Sequence, residues 1–472
     1  MPEKLLVGGE WRTGEQVLEI NSPYDGSPSG AVYLASQADI EDAIVSAQRG
    51  FEVTRGLPSH KRSEILQNLH RLMGERFDDL VELMIAEGGK TRQIAIGETA
   101  RAMQTIFVSS EEARRIEGEV FSIDWTAAGE HKQGFTKRVP LGIVLAITPF
   151  NYPLNLACHK IGPAIAAGNA LILKPAEKTP LSSVLLTELI LEAGYPPEAL
   201  SMLNCFGPQA ETMVTDPRIA MLSFTGSSSV GWMLKNKAGM KRVALELGGN
   251  AGVIVHSDAD LDRAVSQVVA GGFANAGQNC ISVQRILIQQ EKFDEFTEGL
   301  VNGVKSLKLG DPRDEDTDIG PMIALRDAER AESWVREASE HGAKILTGGG
   351  REGTLFEPTI LTNTTPDMRV SCEEIFAPVV TISPYGEWDE AITAINDTPY
   401  GLQAGLFTND MNLIMDAWER IEVGGLQVNS VPTFRVDHMP YGGVKASGFG
   451  REGVKYALEE MTDLRLMVLH LK

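Results

Sequence analysis

The sequence predicts an α/β fold: a doubly wound parallel sheet with helices on both faces, a second α/β unit, and a small β arm. Three observations predict it. Short, almost wholly apolar segments at 143–148, 170–174, 202–205, 219–224 and 243–247 read as buried strands, separated by amphipathic stretches of helical length. After Gly248-Gly249-Asn250 the alternation restarts, with a strand at 253–255 and a helix behind it. Finally, the strand-like segments 133–139 and 464–471 stand outside the alternation, so they pair with each other or with another subunit.

The elements follow in chain order. From 61 to 117 apolar residues recur at three and four, as in Ile65, Leu66, Leu69, Leu72 and Met73, which predicts helical cover. From Gly142 onward, strands buried on both faces alternate with helices, and that pattern makes β-α-β units whose ligands bind at the carboxyl ends of the strands. In the second unit, Ser257 or Asp258 is placed to start a helix whose apolar face is Leu261, Ala264, Val265, Val268 and Val269.

Composition bounds the function. A chain of 472 residues is too long for one ordinary core, so two or three units are expected. Hydrophobic residues at 43% and charged residues at 23% are ordinary for a globular protein that folds in water. With 64 acidic against 43 basic side chains, the net charge of -21 repels nucleic acid and anionic membrane surfaces, and no basic patch offsets it. The segment from Met1 to Trp11 has no apolar run of the signal-peptide kind, and no stretch reaches about 18 uninterrupted apolar residues, which predicts a cytosolic protein. Cys158, Cys205, Cys280 and Cys372 lie far apart, arguing against both a disulfide framework and a thiolate metal site.

Five signals carry chemistry. The strand at 219–224 runs through Thr225-Gly226-Ser227 into a helix, and glycine at a helix N-terminus lets backbone N–H groups meet a phosphate; a plain turn is the alternative. Lys174 and Glu177 follow another strand, where they suit a ribose and its hydroxyls, or else are two solvated charges at a helix start. Cys280 follows the polar loop Asn275-Ala276-Gly277-Gln278-Asn279, an approachable setting for a thiolate, whereas Cys158 and Cys205 sit in apolar sequence and read as inert. Glu246 stands alone among apolar neighbours at a strand end, so burial raises its pKa toward that of a neutral-pH base; a structural salt bridge is the alternative. Asn151, after Thr148-Pro149-Phe150, offers an amide to an oxyanion or simply begins a turn. All five fall at carboxyl strand ends or adjoining loops, where one cleft collects them.

These residues, with Glu373-Glu374-Ile375-Phe376-Ala377-Pro378 and Gly442-Gly443-Val444-Lys445-Ala446-Ser447-Gly448, resemble the motifs of the aldehyde dehydrogenase superfamily, in its order, from about Ile20 to the end. The resemblance implies that Cys280 is the nucleophile, Glu246 the base and Asn151 the oxyanion donor, acting through a thiohemiacetal and a thioester. It implies a Rossmann-like dinucleotide domain with Thr148, Pro149, Lys174, Glu177, Gly207, Gly226, Ser227, Leu247, Glu374 and Phe376 around the cofactor. Glu177 then favours NAD over NADP, because its carboxylate repels a 2'-phosphate. The implied division is a cofactor domain at 1–120 and 141–247, a catalytic domain at 248–440, and an oligomerisation arm at 121–140 and 455–472 that builds a homodimer or homotetramer.

The stretch from Phe434 to Pro440 resembles the anchor loop of members acting on lactaldehyde, glyceraldehyde 3-phosphate or phosphonoacetaldehyde. Arg435 would grip an anionic or hydroxylated tail through bidentate contacts, with Tyr152, Arg101 and His438 helping; an internal ion pair is the alternative. Two residues depart from the pattern. Ala377 replaces the commoner glycine in the loop that carries Glu374, and Asn279 removes an arginine that some phosphate-handling members place before the nucleophile, favouring a small polar substrate. The expectation is NAD-dependent oxidation of a short polar aldehyde. Rivals are a CoA-acylating enzyme, which generally lacks the glutamate base, a broad alkanal dehydrogenase, a cofactor-free thiol hydrolase, and a non-catalytic protein.

Overall fold

The computed structural model describes residues 1–471 and contains two large sheets, a three-stranded sheet and two two-stranded ones. In the first sheet five parallel strands lie in the order Leu200–Met202, Ala170–Lys174, Ile143–Ile147, Ile219–Thr225, Arg242–Glu246. Of these five, the strand first in sequence thus sits in the middle, and the winding reverses between Ile143–Ile147 and Ile219–Thr225. Such a reversal opens a crevice at the carboxyl ends, the position where open α/β sheets bind ligands. The hairpin Leu5–Val7 and Glu10–Arg12 extends one edge and Gly448–Phe449 the other, both antiparallel.

Four residues after Glu246 the second sheet begins with Ala251–Val255, flanked by Val283–Gln289 and Gln403–Phe407. Val379–Tyr385, Thr359–Thr362 and Gly425–Val428 continue it in parallel, and Lys344–Thr347 closes an edge antiparallel. The apolar interior divides at the same place: one core runs from Leu5 to Leu247 and takes in Leu458 and Met461, while a second spans Val253 to Val431. In the small sheet, Lys132–Pro140 pairs antiparallel with Thr462–His470, from Pro140 opposite Thr462 to Lys132 opposite His470, and with Val120–Phe121. The two outlying strands therefore pair with each other.

Three local readings need adjustment. The strand expected at 202–205 is Leu200–Met202, because pairing with Ala170–Lys174 ends at Met202 and Asn204 then turns to bond Tyr33 and Ala35. The helical region at 61–117 is three helices, Ser59–Glu75, Phe77–Gly88 and Arg92–Glu112. Its second break is Gly89, at φ +64, where a Cβ would come within 2.6 Å of both Pro23 and Pro321. The helix Leu261–Phe273 starts later than expected, since Asp260, not Ser257 or Asp258, accepts from the backbone N–H of Arg263. Among the described residues, no helix is long and apolar enough to cross a membrane.

Candidate active site

A cleft of about 320 Å³ opens where the two sheets meet. From the first sheet it receives Pro149, Phe150 and Asn151 after one strand, Gly226 and Ser227 after its neighbour, and Glu246 and Leu247 at the third; from the second it receives Cys280, Glu374 and Phe376. Arg435, Tyr441 and Glu452 complete the wall. A larger open groove of about 770 Å³ around Gly8, Arg12, Arg49 and Glu198 holds none of the expected site residues.

The loop before Cys280 is held in an uncommon backbone shape. Asn275 and Ala276 both have φ of 53°, and at Gly277, φ +68, a Cβ would lie 2.0 Å from the carbonyl oxygen of Ala377. Conformations of this kind persist only where surroundings over-determine them. Here Gln278 supplies the ties: its side-chain carbonyl accepts from Ile323 N–H at 2.8 Å, and its backbone carbonyl accepts from Asn151 Nδ2 at 3.1 Å. The amide of Asn151 is thereby drawn to the loop that carries Cys280. Behind Asn151 the helix Pro153–Ala167, buried throughout, is capped by Glu98 Oε1, which accepts from the N–H groups of Leu154 and Asn155 at 3.0 and 3.1 Å.

Burial sets the electrostatics. Cys280 is partly buried, and desolvation pushes its thiol up to about 12. Glu246 is 4% exposed, and neither of its carboxylate oxygens has a hydrogen-bond partner. Desolvation, then the negative charge of Glu452, holds its carboxyl well above the usual range. Glu374 is likewise raised by burial, to about 7, while one of its oxygens accepts from Gly249 N–H at 2.9 Å.

Most residues expected at the cofactor lie at carboxyl ends of the first sheet. The helix Ser228–Lys237 begins at Ser227, and Lys174 pairs with Glu177 at 2.7 Å two strands over. Gly207 opens the helix Gly207–Thr215, after the strand Leu200–Met202. Thr148, Lys174, Glu177 and Gly207 do not border the cleft itself. Around the reversal, Thr148 Oγ1, Thr225 Oγ1 and Ser228 Oγ are buried without partners, a donor-rich, unsatisfied surface of the kind a polar ligand satisfies. Phe150 and Phe376 meet edge to face at 5.9 Å across this region.

Of the expected substrate contacts, only Arg435 borders the cleft. Its Nη2 already donates to Glu452 at 3.1 Å, so a free two-pronged grip is not present, although its buried Nε has no partner. Arg101 does not border the cleft, because it is clamped to Asp437 at 2.8 and 3.3 Å. His438 is exposed, and Tyr152 instead lies beneath the buried ammonium of Lys90, 4.0 Å from its ring centre. Sequence reasoning missed Tyr441, whose hydroxyl is 3.2 Å from Cys280 Sγ. It also missed the buried ionic cluster below: Lys160 donates to Glu452 at 3.0 Å, and His159 pairs with Asp437 at 2.9 Å. A lysine and a histidine adjacent in an otherwise apolar helix were the available signal.

The aldehyde dehydrogenase family profile matches residues 11–467. The 3-sulfolactaldehyde dehydrogenase of Priestia aryabhattai is 47% identical over 99% of this chain and 98% of its own length. Aldehyde dehydrogenase 21 from Physcomitrella patens, solved with its reaction product succinate, superposes with a TM-score of 0.97 at 39% identity, covering 99% of this chain and 98% of the other. The NADP-dependent glyceraldehyde-3-phosphate dehydrogenase of Bacillus halodurans, solved with NADP, gives 0.97 at 36% identity over the whole of both chains. With a profile match across nearly its entire length, the chain belongs to the aldehyde dehydrogenase family.

Proposed function

We propose that this enzyme oxidises a short aldehyde with an anionic or hydroxylated tail to its carboxylic acid, using NAD. The reading is carried by one observation: Cys280, Asn151 and Glu246 border a single cleft whose wall also contains the buried cation Arg435. The sulfur of Cys280 attacks the aldehyde carbon, and the carbonyl electron pair moves to oxygen. Asn151 Nδ2 and the Cys280 backbone N–H are the donors for that oxyanion, each worth about 3 kcal/mol of barrier. When bound, the nicotinamide supplies the hydride acceptor. Glu246 then takes a proton from the water that splits the thioester; burial raises its pKa above the usual carboxylate range, which makes its ionised form a stronger base.

The unpartnered hydroxyls of Thr148, Thr225 and Ser228, with Gly226 and Ser227 at a helix N-terminus, fit a dinucleotide's polar groups. Glu374 and Phe376 would hold the nicotinamide end, and Lys174 and Glu177 the adenosine ribose. Glu177, held by Lys174, would set a carboxylate against the adenosine ribose, which favours NAD over a 2'-phosphate. For the substrate, Arg435 offers charge and its free Nε. The 47% identical relative's name, 3-sulfolactaldehyde dehydrogenase, supports a small hydroxylated anion. The chain assembles as a dimer or tetramer through the strand pair Lys132–Pro140 and Thr462–His470.

The test is NADH formation with sulfolactaldehyde, lactaldehyde, succinate semialdehyde, glyceraldehyde 3-phosphate and plain alkanals, compared by kcat/KM. A preference of at least about tenfold for one anionic aldehyde, lost in Arg435→Met, supports the reading. Equal rates on alkanals would overturn it, as would a product that becomes a thioester when coenzyme A is added.

A further inference from the structure

The cleft contains a contact to the nucleophile that the mechanism above does not use. Tyr441 Oη lies 3.2 Å from Cys280 Sγ, and Tyr441 is 4% exposed. Its ring is fixed from one face by Arg435, whose guanidinium carbon is 3.7 Å from the ring centre. Arg435 is itself held by Glu452 and His159. The backbone of Tyr441 is fixed too, donating to Glu452 O at 3.0 Å and accepting from Glu452 N–H at 2.7 Å. A phenol held at ring and backbone, with its hydroxyl on a sulfur, is preorganised for that sulfur.

We propose that Tyr441 is a catalytic residue whose hydroxyl donates to Cys280 Sγ and stabilises the attacking thiolate. This rests on Cys280 being the nucleophile. Burial penalises the thiolate, and the charges of Glu374 and Glu246 add to the penalty; the Tyr441 hydrogen bond and the Arg435 cation oppose it. Burial also keeps Tyr441 protonated well above its usual range, so once the sulfur is ionised the phenol alone of the pair has a proton to donate. A cation on the ring face draws electron density from the phenol and makes its O–H a stronger donor. On ionisation the thiol proton passes to water in the cleft and Tyr441 keeps its own. The sulfur lone pair then forms the C–S bond as the carbonyl π pair moves to oxygen.

Tyr441→Phe keeps the ring and its stacking, and near-UV circular dichroism checks that the fold is retained. The thiolate is read by the rate of iodoacetamide alkylation of the free enzyme between about pH 6 and 10, below the raised thiol pKa, where that rate follows the thiolate fraction; the rate of Cys280→Ala, which reports the other thiols, is subtracted. We expect alkylation throughout this range and the first-turnover burst of NADH both to slow about tenfold, the scale of a lost hydrogen bond to an anion, with KM unchanged. If Tyr441→Phe does not fold, 3-fluorotyrosine placed at 441 tests the same bond in the opposite sense: a stronger donor speeds alkylation. An alkylation rate that stays in place in a folded variant overturns the proposal and makes the contact mere packing. The underlying reading fails separately, if Cys280→Ala still turns over aldehyde.

Discussion

At the residue scale, the proposed mechanism separates two groups that a static view leaves side by side. Cys280→Ala removes the attacking sulfur, so steady-state turnover should fall by at least about a thousandfold. Glu246→Gln leaves the sulfur but removes the base. The expected outcome in rapid-quench experiments is a stoichiometric burst of NADH followed by a stall at the acyl-enzyme, whereas a full steady-state rate would exclude Glu246 as base. Because burial raises the Glu246 pKa, its base form fills as pH rises, so hydrolysis of the acyl-enzyme should quicken with pH in the wild type and lose that limb in Glu246→Gln. Beneath it, Glu452 is held down to about 2 by Lys160 and Arg435 despite the cost of burial. A depressed folded pKa stabilises the fold above the ordinary carboxylate range, and that contribution disappears as pH falls toward 2. Glu452→Gln should therefore lower stability by about 3–5 kcal/mol at pH 7, since it strands buried cations, and by far less near pH 3 in denaturant titrations. None of this cluster was legible from spacing: Lys160 and Glu452 are 292 residues apart, and their meeting depends on the chain returning to the first sheet late in the sequence.

At the element scale, legibility followed burial. Strands such as Ile143–Ile147 and Ala170–Lys174 are buried at every position, so they are written as unbroken apolar runs and were found where expected. Edge elements carry weaker patterns. The hairpin at Leu5–Val7 and Glu10–Arg12, and the two-residue strand Gly448–Phe449, are fixed by their partners rather than by periodicity, and nothing in their residue pattern marks them as strands. Helix starts slipped for a related reason, since Ser257, Asp258 and Asp260 are all competent caps and only the fold selects Asp260. The site motifs were legible because they sit on strand ends. The substrate side was not, because Arg101 pairs with Asp437, 336 residues away, and Arg435 with Glu452, 17 residues away, separations that no helix or strand period signals. The strand end at Lys174 supports a sharp test: Glu177→Ser should raise the NADP-to-NAD ratio of kcat/KM by about tenfold or more, and an unchanged ratio would remove Glu177 from the ribose.

At the scale of the whole molecule, the arm carries Leu464, Leu466 and Met467 at 59%, 60% and 54% exposure, an apolar surface on a single chain. If a second copy covers it, Leu466→Asp should shift the species seen by sedimentation toward monomer, whereas an unchanged distribution would place the assembly elsewhere. A further consequence lies in the joint at Leu247-Gly248-Gly249-Asn250. Cys280 and Glu246, the proposed nucleophile and base, ride on separate sheets connected there, and the chain crosses back only once it has completed the second sheet, to lay Gly448–Phe449 beside Arg242–Glu246. The segment between these crossings is an insert with two seams. Recombination between relatives that cuts at both seams exchanges the thiol and its substrate wall as a unit and leaves the opposite half intact; a single cut separates Glu246 from the Gly448–Phe449 strand that pairs with it.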